Sequence, residues 1–502
     1  MTLRRSPDIR QHATHEDLLG PATPPLSAYS APRLDAIIVP ASRPAEHLDH
    51  AVTLAQAANC RLVILCSHQA RADEVGQLLD SRSFSQGTVI DLPAGYGHRW
   101  FEFAVCLPEV IRRLPEACAA RDTDLSMKRN LGLILARMLG WDRVFFMDDD
   151  IRGVEYQDLR RTVAMLGQQY YSVGMRVNEF PDNSVVCHAH RATGEPQDTF
   201  VSGSVLAIDC TALFGFFPNV YNEDWLFFYN DTVEGRLACS GWPATQLAYD
   251  PFDDPRRAAE QEFGDVMAEG LYALLHHNRN AAHATREYWS GFLDARRQFL
   301  AAVIARAARA PANVREKMLA SVAAAQKCSA QIEPALCVDY VRLWRKDLVR
   351  WEETLKKIPR FSSLNRALSE LGLGPAAGGT DKDASSRAPV PAMRKIAVDA
   401  PAAFDRAGVP PSALTLTAAT IGRLPAESTA LAEPDALADT DQMRRLETMF
   451  SRETRGPVVG QARRPVVGQA RRVAAMRAKV GVGMLVVAGV IGVLVVVTIG
   501  WA

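Results

Sequence analysis

Short apolar runs alternate with amphipathic segments in the first half of the chain. Four of these runs have the length and β-branched content of buried strands. They span residues 33–40, 61–66, 87–92 and 144–147. Residues 46–58 and 124–139 instead carry apolar side chains at helical spacing. This alternation predicts an α/β fold with a Rossmann-like, mostly parallel sheet flanked by helices.

The pattern changes in the middle of the chain. From residue 151 to 250 it is mixed, and strands are predicted near 184–189, 200–208 and 246–249. After Pro255 four long, alanine-rich amphipathic segments predict helices that pack on the α/β body. These helices are expected over 258–277, 286–310, 314–327 and 333–358.

These changes divide the chain into six parts. The predicted order is a disordered tail over 1–33, the α/β domain over 34–255, a helical region over 256–372, a flexible linker over 373–454, a basic juxtamembrane segment over 455–479 and a transmembrane helix over 480–502. The linker is dense in Ala, Pro, Gly, Ser, Thr and Asp, a composition that buries too little apolar surface to offset the entropy of ordering it.

The C-terminal segment predicts a membrane anchor. Residues 480–502 carry no charge and are long enough to cross a hydrocarbon core of about 30 Å. The segment before them is basic and has no acidic residue after Glu453, so the positive-inside rule places the bulk of this single-pass protein in the cytoplasm. Nine scattered cysteines without a CxxC pair agree with reduced thiols. A buried core helix is the alternative for residues 480–502.

Three consecutive aspartates close the fourth apolar run. Strand alternation puts Asp148 and Asp150 on one face and Asp149 on the other. Buried carboxylates without partners are costly, whereas a divalent ion keeps them ionised. We therefore predict Mg²⁺ or Mn²⁺ at Asp148 and Asp150, with positions left open for the oxygens of a phosphorylated substrate. The 57 basic and 57 acidic residues cancel, so no nucleic-acid partner is expected.

Four further motifs accompany the aspartates in a recognisable order. They are Val39-Pro40-Ala41-Ser42-Arg43, Lys128-Arg129-Asn130-Leu131-Gly132, Phe200-Val201-Ser202-Gly203-Ser204 and Tyr221-Asn222-Glu223-Asp224-Trp225-Leu226. In order and spacing, residues 35–250 resemble the nucleotide-sugar glycosyltransferases of the GT-A fold, especially family 2. In that family an Arg-Asn-x-Gly helix precedes a strand that ends in a DXD-type motif.

The resemblance implies a role for each motif. It implies a nucleoside diphosphate sugar as donor and an unidentified glycan, lipid or small molecule as acceptor at the membrane. Asp148 and Asp150 are the implied metal ligands, with His277 as a third. Asp224, or else Glu223, is the implied general base of an inverting transfer. The implied donor contacts are Pro40, Ser42, Arg43, Lys128, Arg129, Asn130 and Asp149.

Other interpretations remain open at this stage. Glu223 and Asp224 are also typical of a helix N-terminus capped by Asn222. If residues 184–189 form a strand, His188 and His190 share one of its faces, where they either line the acceptor pocket or serve only as structural residues. A haloacid dehalogenase-like phosphohydrolase also ends a strand in Asp-x-Asp, although its motif expects Thr or Val where Arg152 stands. A nucleotidyltransferase would need a glycine-rich first loop, which this sequence lacks. The chain could also be a non-catalytic, tail-anchored scaffold with a degenerate transferase fold.

Overall fold

A computed structural model describes residues 11–20 and 32–374, apart from 168, 179, 181–182 and 213–214. The predicted linker beyond residue 374, the basic segment and the transmembrane helix lie outside these residues. Within the described part of the chain, no helix combines the length and the apolar character needed to span a membrane.

Eight strands form one sheet. They are β1 (Ala36–Ala41), β2 (Arg61–Cys66), β3 (Gly87–Asp91), β4 (Arg143–Met147), β5 (Ile151–Arg152), β6 (Ser172–Asn178), β7 (Val205–Asp209) and β8 (Leu237–Gln246). Their order in the sheet is β3-β2-β1-β4-β7-β6-β8-β5. The pairs β1–β2, β2–β3, β1–β4 and β6–β8 are parallel. In contrast, β7 is antiparallel to both β4 and β6, and β5 is antiparallel to β8. The fold is therefore α/β as predicted, but the sheet is mixed rather than mostly parallel.

Helices flank the sheet and continue beyond it. Those in the first half are α1 (Asp49–Ala58), α2 (Ala72–Ser81), α3 (Pro108–Ile111), α4 (Glu116–Ala119), α5 (Leu125–Leu139), α6 (Tyr156–Ala164), α7 (Val185–Ala192), α8 (Glu223–Phe227) and α9 (Tyr229–Val233). The helical region contains α10 (Pro255–Leu275), α11 (Arg286–Ala307), α12 (Ala312–Ser329), α13 (Pro334–Lys357) and α14 (Leu364–Glu370). The long helices match the predicted ones to within a few residues.

Strand alternation explains why the sheet is covered on both faces. In β1, Ile38 belongs to the apolar core that contains α5, while Ile37 and Val39 belong to the core beneath α1. Gly132 allows α5 to lie close to the sheet, because a Cβ there would come within 2.9 Å of the Phe146 ring. This contact gives a packing reason for the glycine of the Arg-Asn-x-Gly motif.

The middle section departs from the predicted strands. Residues 184–189 fall in the helix α7, so His188 and His190 do not share a strand face. Ser184 caps this helix by accepting a hydrogen bond from the Cys187 amide, and α7 packs against α11 and α12. The strand β6 and the helix α6 were not predicted at all. In α7, packing against the helical region outweighs the strand propensity of the β-branched residues Val185 and Val186.

Part of the predicted tail is ordered. Residues 11–20 lie against the body, and the His15 side chain is buried between Trp225 and α10. The amide of Asp198 donates to the carbonyl of Ala13 at 2.8 Å, and that of Gly20 donates to the carbonyl of Leu237 at 2.9 Å. For these ten residues the structure differs from the predicted disorder, because backbone pairing and a buried aromatic ring offset the cost of ordering them.

A buried carboxyl on α9 makes stability depend on pH. Burial raises the pKa of Asp231 to about 7, while a hydrogen bond from Ser172 opposes the shift. The folded state therefore holds this proton more tightly than the unfolded chain, and stability should fall as pH rises from about 4 to about 7. We expect Asp231→Asn to remove up to roughly 4 kcal/mol of that fall, at about 1.4 kcal/mol per pH unit.

Urea unfolding of both proteins across this pH range measures the effect. The exposed Asp294, which pairs only with Arg297 on the surface, provides a control through Asp294→Asn. Parallel stability profiles for the Asp231→Asn variant and the unaltered chain would show that Asp231 does not cause the dependence.

Candidate functional site

The carboxyl ends of three parallel strands meet at one edge of the sheet. Ser42 and Arg43 follow β1, Ser67 follows β2 and the three aspartates follow β4. In open α/β sheets this edge is where ligands bind. Glu223 and Asp224, at the start of α8, reach the same edge from the second half of the domain.

Asp149 stabilises the loop after β1 through hydrogen bonds. Its Oδ2 accepts hydrogen bonds from the amides of Ser42 at 2.6 Å and Arg43 at 2.8 Å, and the Arg43 guanidinium donates to Oδ1. The carboxylate is 3% exposed. It therefore fixes the conformation of residues that were predicted to contact the donor, rather than facing open space itself.

Arg43 pairs with the second and the third aspartate of the motif. Its second guanidinium nitrogen lies 3.0 Å from Asp150 Oδ2, which also accepts from Gln246 at 3.3 Å. The Arg43 side chain is 45% exposed while both acids are buried, so it presents positive charge to the solvent side. Burial lowers the pKa of the neighbouring Arg152 guanidinium, and the negative charges of Asp150 and Asp149 oppose this effect.

Arg129 connects the aspartate motif to the second half of the site. Its Nη2 donates to both oxygens of Asp148, at 3.0 and 2.9 Å, and its Nη1 donates to Glu223 Oε1 at 2.7 Å. Arg129 itself is 2% exposed. Burial raises the pKa of Asp148, while the Arg129 guanidinium opposes that shift. One buried cation thus holds two acids from distant parts of the chain.

Asp224 is oriented by backbone groups. Its Oδ2 accepts from the Gly203 amide at 2.7 Å and its Oδ1 from the Trp225 amide at 2.9 Å. Gly203 is required by this contact, because a Cβ there would lie 2.7 Å from Arg129 Nη1 and 2.9 Å from Asp224 Cβ. The glycine of the Phe200–Ser204 motif therefore allows Arg129 and Asp224 to approach the same point.

Three further predicted donor contacts, Lys128, Asn130 and Pro40, are buried among other protein atoms. Lys128 is fully buried, and its Nζ donates to the Ala41 carbonyl and to the hydroxyls of Ser42 and Ser67 at 2.6–2.9 Å. Asn130 makes two hydrogen bonds with the backbone of Phe217, each 2.8 Å long. Pro40 is buried inside β1. These residues shape the loops around the site and offer little surface to a ligand.

His277 does not join the aspartates. It lies at the exposed C-terminal end of α10, where its ring centroid is 6.3 Å from that of His12. The adjacent His276 lies 3.0 Å from His15, and burial lowers the pKa of His276 to about 4. Both histidines therefore belong to the contact between the N-terminal segment and α10.

The carboxylates as placed do not fit a metal held by three protein ligands. Among residues 11–20 and the described part of 32–374, no group of three or more His, Cys, Asp or Glu side chains is positioned to hold an ion. Asp148 and Asp150 have separate guanidinium partners, Arg129 and Arg43. These arginines supply the positive charge for which the sequence predicts Mg²⁺ or Mn²⁺. Mg²⁺ or Mn²⁺ at Asp148 and Asp150 stays a prediction.

A cleft opens beside the Arg129 bridge. Asp148, Glu223, Asp224 and Arg129 line it. Its lining also includes residues that the sequence did not single out, namely Arg121, Ser184, Cys187, Asp198, Asp265 and Glu269. Phe200 and Trp225 also line the cleft, with ring centroids 5.1 Å apart. No motif signal marked these additional residues, because they come from separate elements that only the fold brings together.

No protein-family model matches the chain, and a comparison with curated proteins found no match either.

Proposed function

We propose that the chain is a glycosyltransferase that moves a sugar from a nucleoside diphosphate sugar to an acceptor, by an inverting displacement with Asp224 as the general base. The observation that carries this proposal is the Arg129 bridge, which holds Asp148 of the aspartate motif and Glu223 beside Asp224 at one cleft. The order of the motifs along the chain supports the same assignment, and so does the position of the cleft at the carboxyl edge of the sheet.

Each residue near the cleft has a definable task in this reaction. Arg43 is the exposed cation of the β1 loop, so its guanidinium is available to bind the diphosphate of the donor. Asp224 would take the proton from the acceptor hydroxyl as that oxygen attacks the anomeric carbon. Its two backbone hydrogen bonds fix the orientation of the carboxylate at the cleft, and Trp225 provides an apolar face for a sugar ring.

The sequence does not favour the phosphohydrolase alternative, because Arg152 stands where its motif expects Thr or Val.

A thermal-shift screen of nucleotide sugars tests the proposal, since a ligand that binds only the native state raises its apparent stability. We expect one class of nucleoside diphosphate sugar to stabilise the protein and Arg43→Ala to remove most of that shift. Arg297→Ala is the control, because the Arg297 side chain is 40% exposed, close to the exposure of Arg43, and pairs with Asp294 on the surface of α11.

The screen is run with added Mg²⁺ or Mn²⁺ and again with a chelator. Binding lost in the chelator would support the predicted ion, whereas binding kept in it would assign the countercharge to arginine. A protein that responds to inorganic phosphate mimics and to no nucleotide sugar would contradict the transferase proposal.

A further inference from the structure

The turn that carries the candidate base has an unusual backbone. Asn222, immediately before Glu223, has a φ of +57°, in the left-handed region that residues other than glycine rarely adopt. Asparagine enters this region more readily than most residues, and the contacts around Asn222 hold it there. The contacts that hold Asn222 therefore also fix the direction in which Glu223 and Asp224 leave the turn.

The helical region supplies those contacts. The side-chain amide of Asn222 donates to Asp265 Oδ1 on α10 at 2.8 Å. One residue earlier on α10, Gly264 lies directly against the backbone of Tyr221, and a Cβ at Gly264 would fall 2.1 Å from the Tyr221 carbonyl oxygen. The backbone of α10 thus packs on the turn itself, and not only on its side chains.

Asp265 is held in turn by Arg296 of α11. The Nη2 of Arg296 donates to Asp265 Oδ2 at 2.9 Å, and Nε and Nη2 bind Glu262 at 3.0 and 2.7 Å. All three side chains are buried. Arg296 also donates to Gln11 of the N-terminal segment, so one guanidinium ties α10, α11 and that segment together.

The charges in this cluster identify Asp265 as the member with a separate role. Glu262 alone would neutralise Arg296, and a second buried carboxylate is unfavourable. Burial accordingly raises the pKa of Asp265 to about 6, against the effect of Arg296. Apart from Arg296, Asp265 has hydrogen bonds with Ser184, the N-cap of α7, and with Asn222. Ser184 and Asp265 themselves line the cleft, and the contact with Asn222 links Asp265 to the turn that carries the candidate base.

We infer that Asp265 and Arg296 are positioning residues for the candidate base: through Asn222 they hold the turn that presents Glu223 and Asp224 to the cleft. The inference rests on the proposed transfer and assigns a task to the helical region, which completes the site from outside the α/β domain.

Asn222→Asp tests the inference with little change in shape. At about pH 8 the introduced carboxylate faces Asp265, with Glu262 and Glu269 nearby on α10 and Arg296 on α11, and the like charges repel. We expect the turnover number to fall about tenfold or more, which matches the loss of one charge-assisted hydrogen bond, while the KM for the donor stays within about twofold. At about pH 6 a proton shared by the two carboxyls restores the hydrogen bond, so the variant should regain activity relative to the unaltered chain.

Hydrogen exchange of the peptide covering residues 223–228 provides a readout that does not depend on turnover. We expect faster exchange there in Asn222→Asp at about pH 8 and in Asn222→Gly, which keeps the left-handed backbone but removes the amide. Asn59→Asp is the matched control, because Asn59 is exposed and also left-handed, with a φ of +46°.

Each outcome decides one of the two proposals. If the unaltered chain turns over no nucleoside diphosphate sugar, the proposed function fails, while exchange in residues 223–228 still decides whether the turn is held through Asn222. Unchanged exchange in both Asn222 variants would overturn the inference. An equal loss of turnover at about pH 6 and about pH 8 in Asn222→Asp would overturn it as well.

Discussion

Asp224→Asn is expected to lower the turnover number of the proposed transfer by about 10²–10⁴-fold, the usual contribution of a general base. Donor binding should remain, because the donor contacts on the β1 loop do not involve Asp224. The amide keeps one oxygen for a backbone hydrogen bond but cannot accept the proton of the acceptor hydroxyl. Steady-state turnover and donor thermal shift, measured on the same preparation, separate the two effects.

Asp198→Asn is the matched control for this prediction. Asp198 also lines the cleft, but it lies on a loop and is exposed. We expect its turnover to stay within about threefold of the unaltered chain, as for surface substitutions of small effect. If Asp224→Asn kept full turnover, Asp224 would lose its assigned role, and Glu223→Gln would then be the variant to measure.

Arg129→Met is expected to destabilise the protein by about 3–5 kcal/mol, since removal of one partner leaves a buried charge uncompensated. Here two carboxylates, Asp148 and Glu223, lose their common guanidinium. Urea unfolding of the variant measures the loss. Arg129→Lys should keep part of the stability, because it retains the charge but cannot donate to both acids with the geometry of a guanidinium.

A second substitution shows whether the bridge causes this loss. In the double variant Arg129→Met with Glu223→Gln, one of the two stranded charges is gone, so we expect the two effects to be less than additive by about 1 kcal/mol or more. Arg137→Met serves as the control on the same helix, because Arg137 is half-buried and donates only to the Leu355 carbonyl. Additive effects in the double variant would mean that the acids do not depend on Arg129.

The edge of the sheet was predictable because its residues follow apolar strands directly. The aspartates end β4 and Ser42-Arg43 ends β1, and parallel neighbours must bring such ends together. What those side chains contact was not predictable. The acids at the strand end are visible in the sequence, whereas the cations that approach them from elsewhere are not, and Arg129 and Arg43 are such cations.

The second half of the site shows the same division. The spacing of the Tyr221–Leu226 motif marked Glu223 and Asp224, but nothing local indicated that Asn222 is left-handed or that Asp265 binds it. His188 and His190 illustrate the opposite error, since a β-branched run that looks like a strand becomes a helix once α11 and α12 cover it.

The sequence by itself determined the α/β class, the long helices and the positions of the acidic motifs, because hydrophobic period and strand-end chemistry are local properties of the chain. Tertiary structure decided the antiparallel pairings of the sheet, the arginine partners of Asp148 and Asp150 and the helical support behind Asn222. Those features depend on contacts between residues from 19 to more than 100 positions apart, and side-chain pairing at such distances leaves no periodic signal in the sequence.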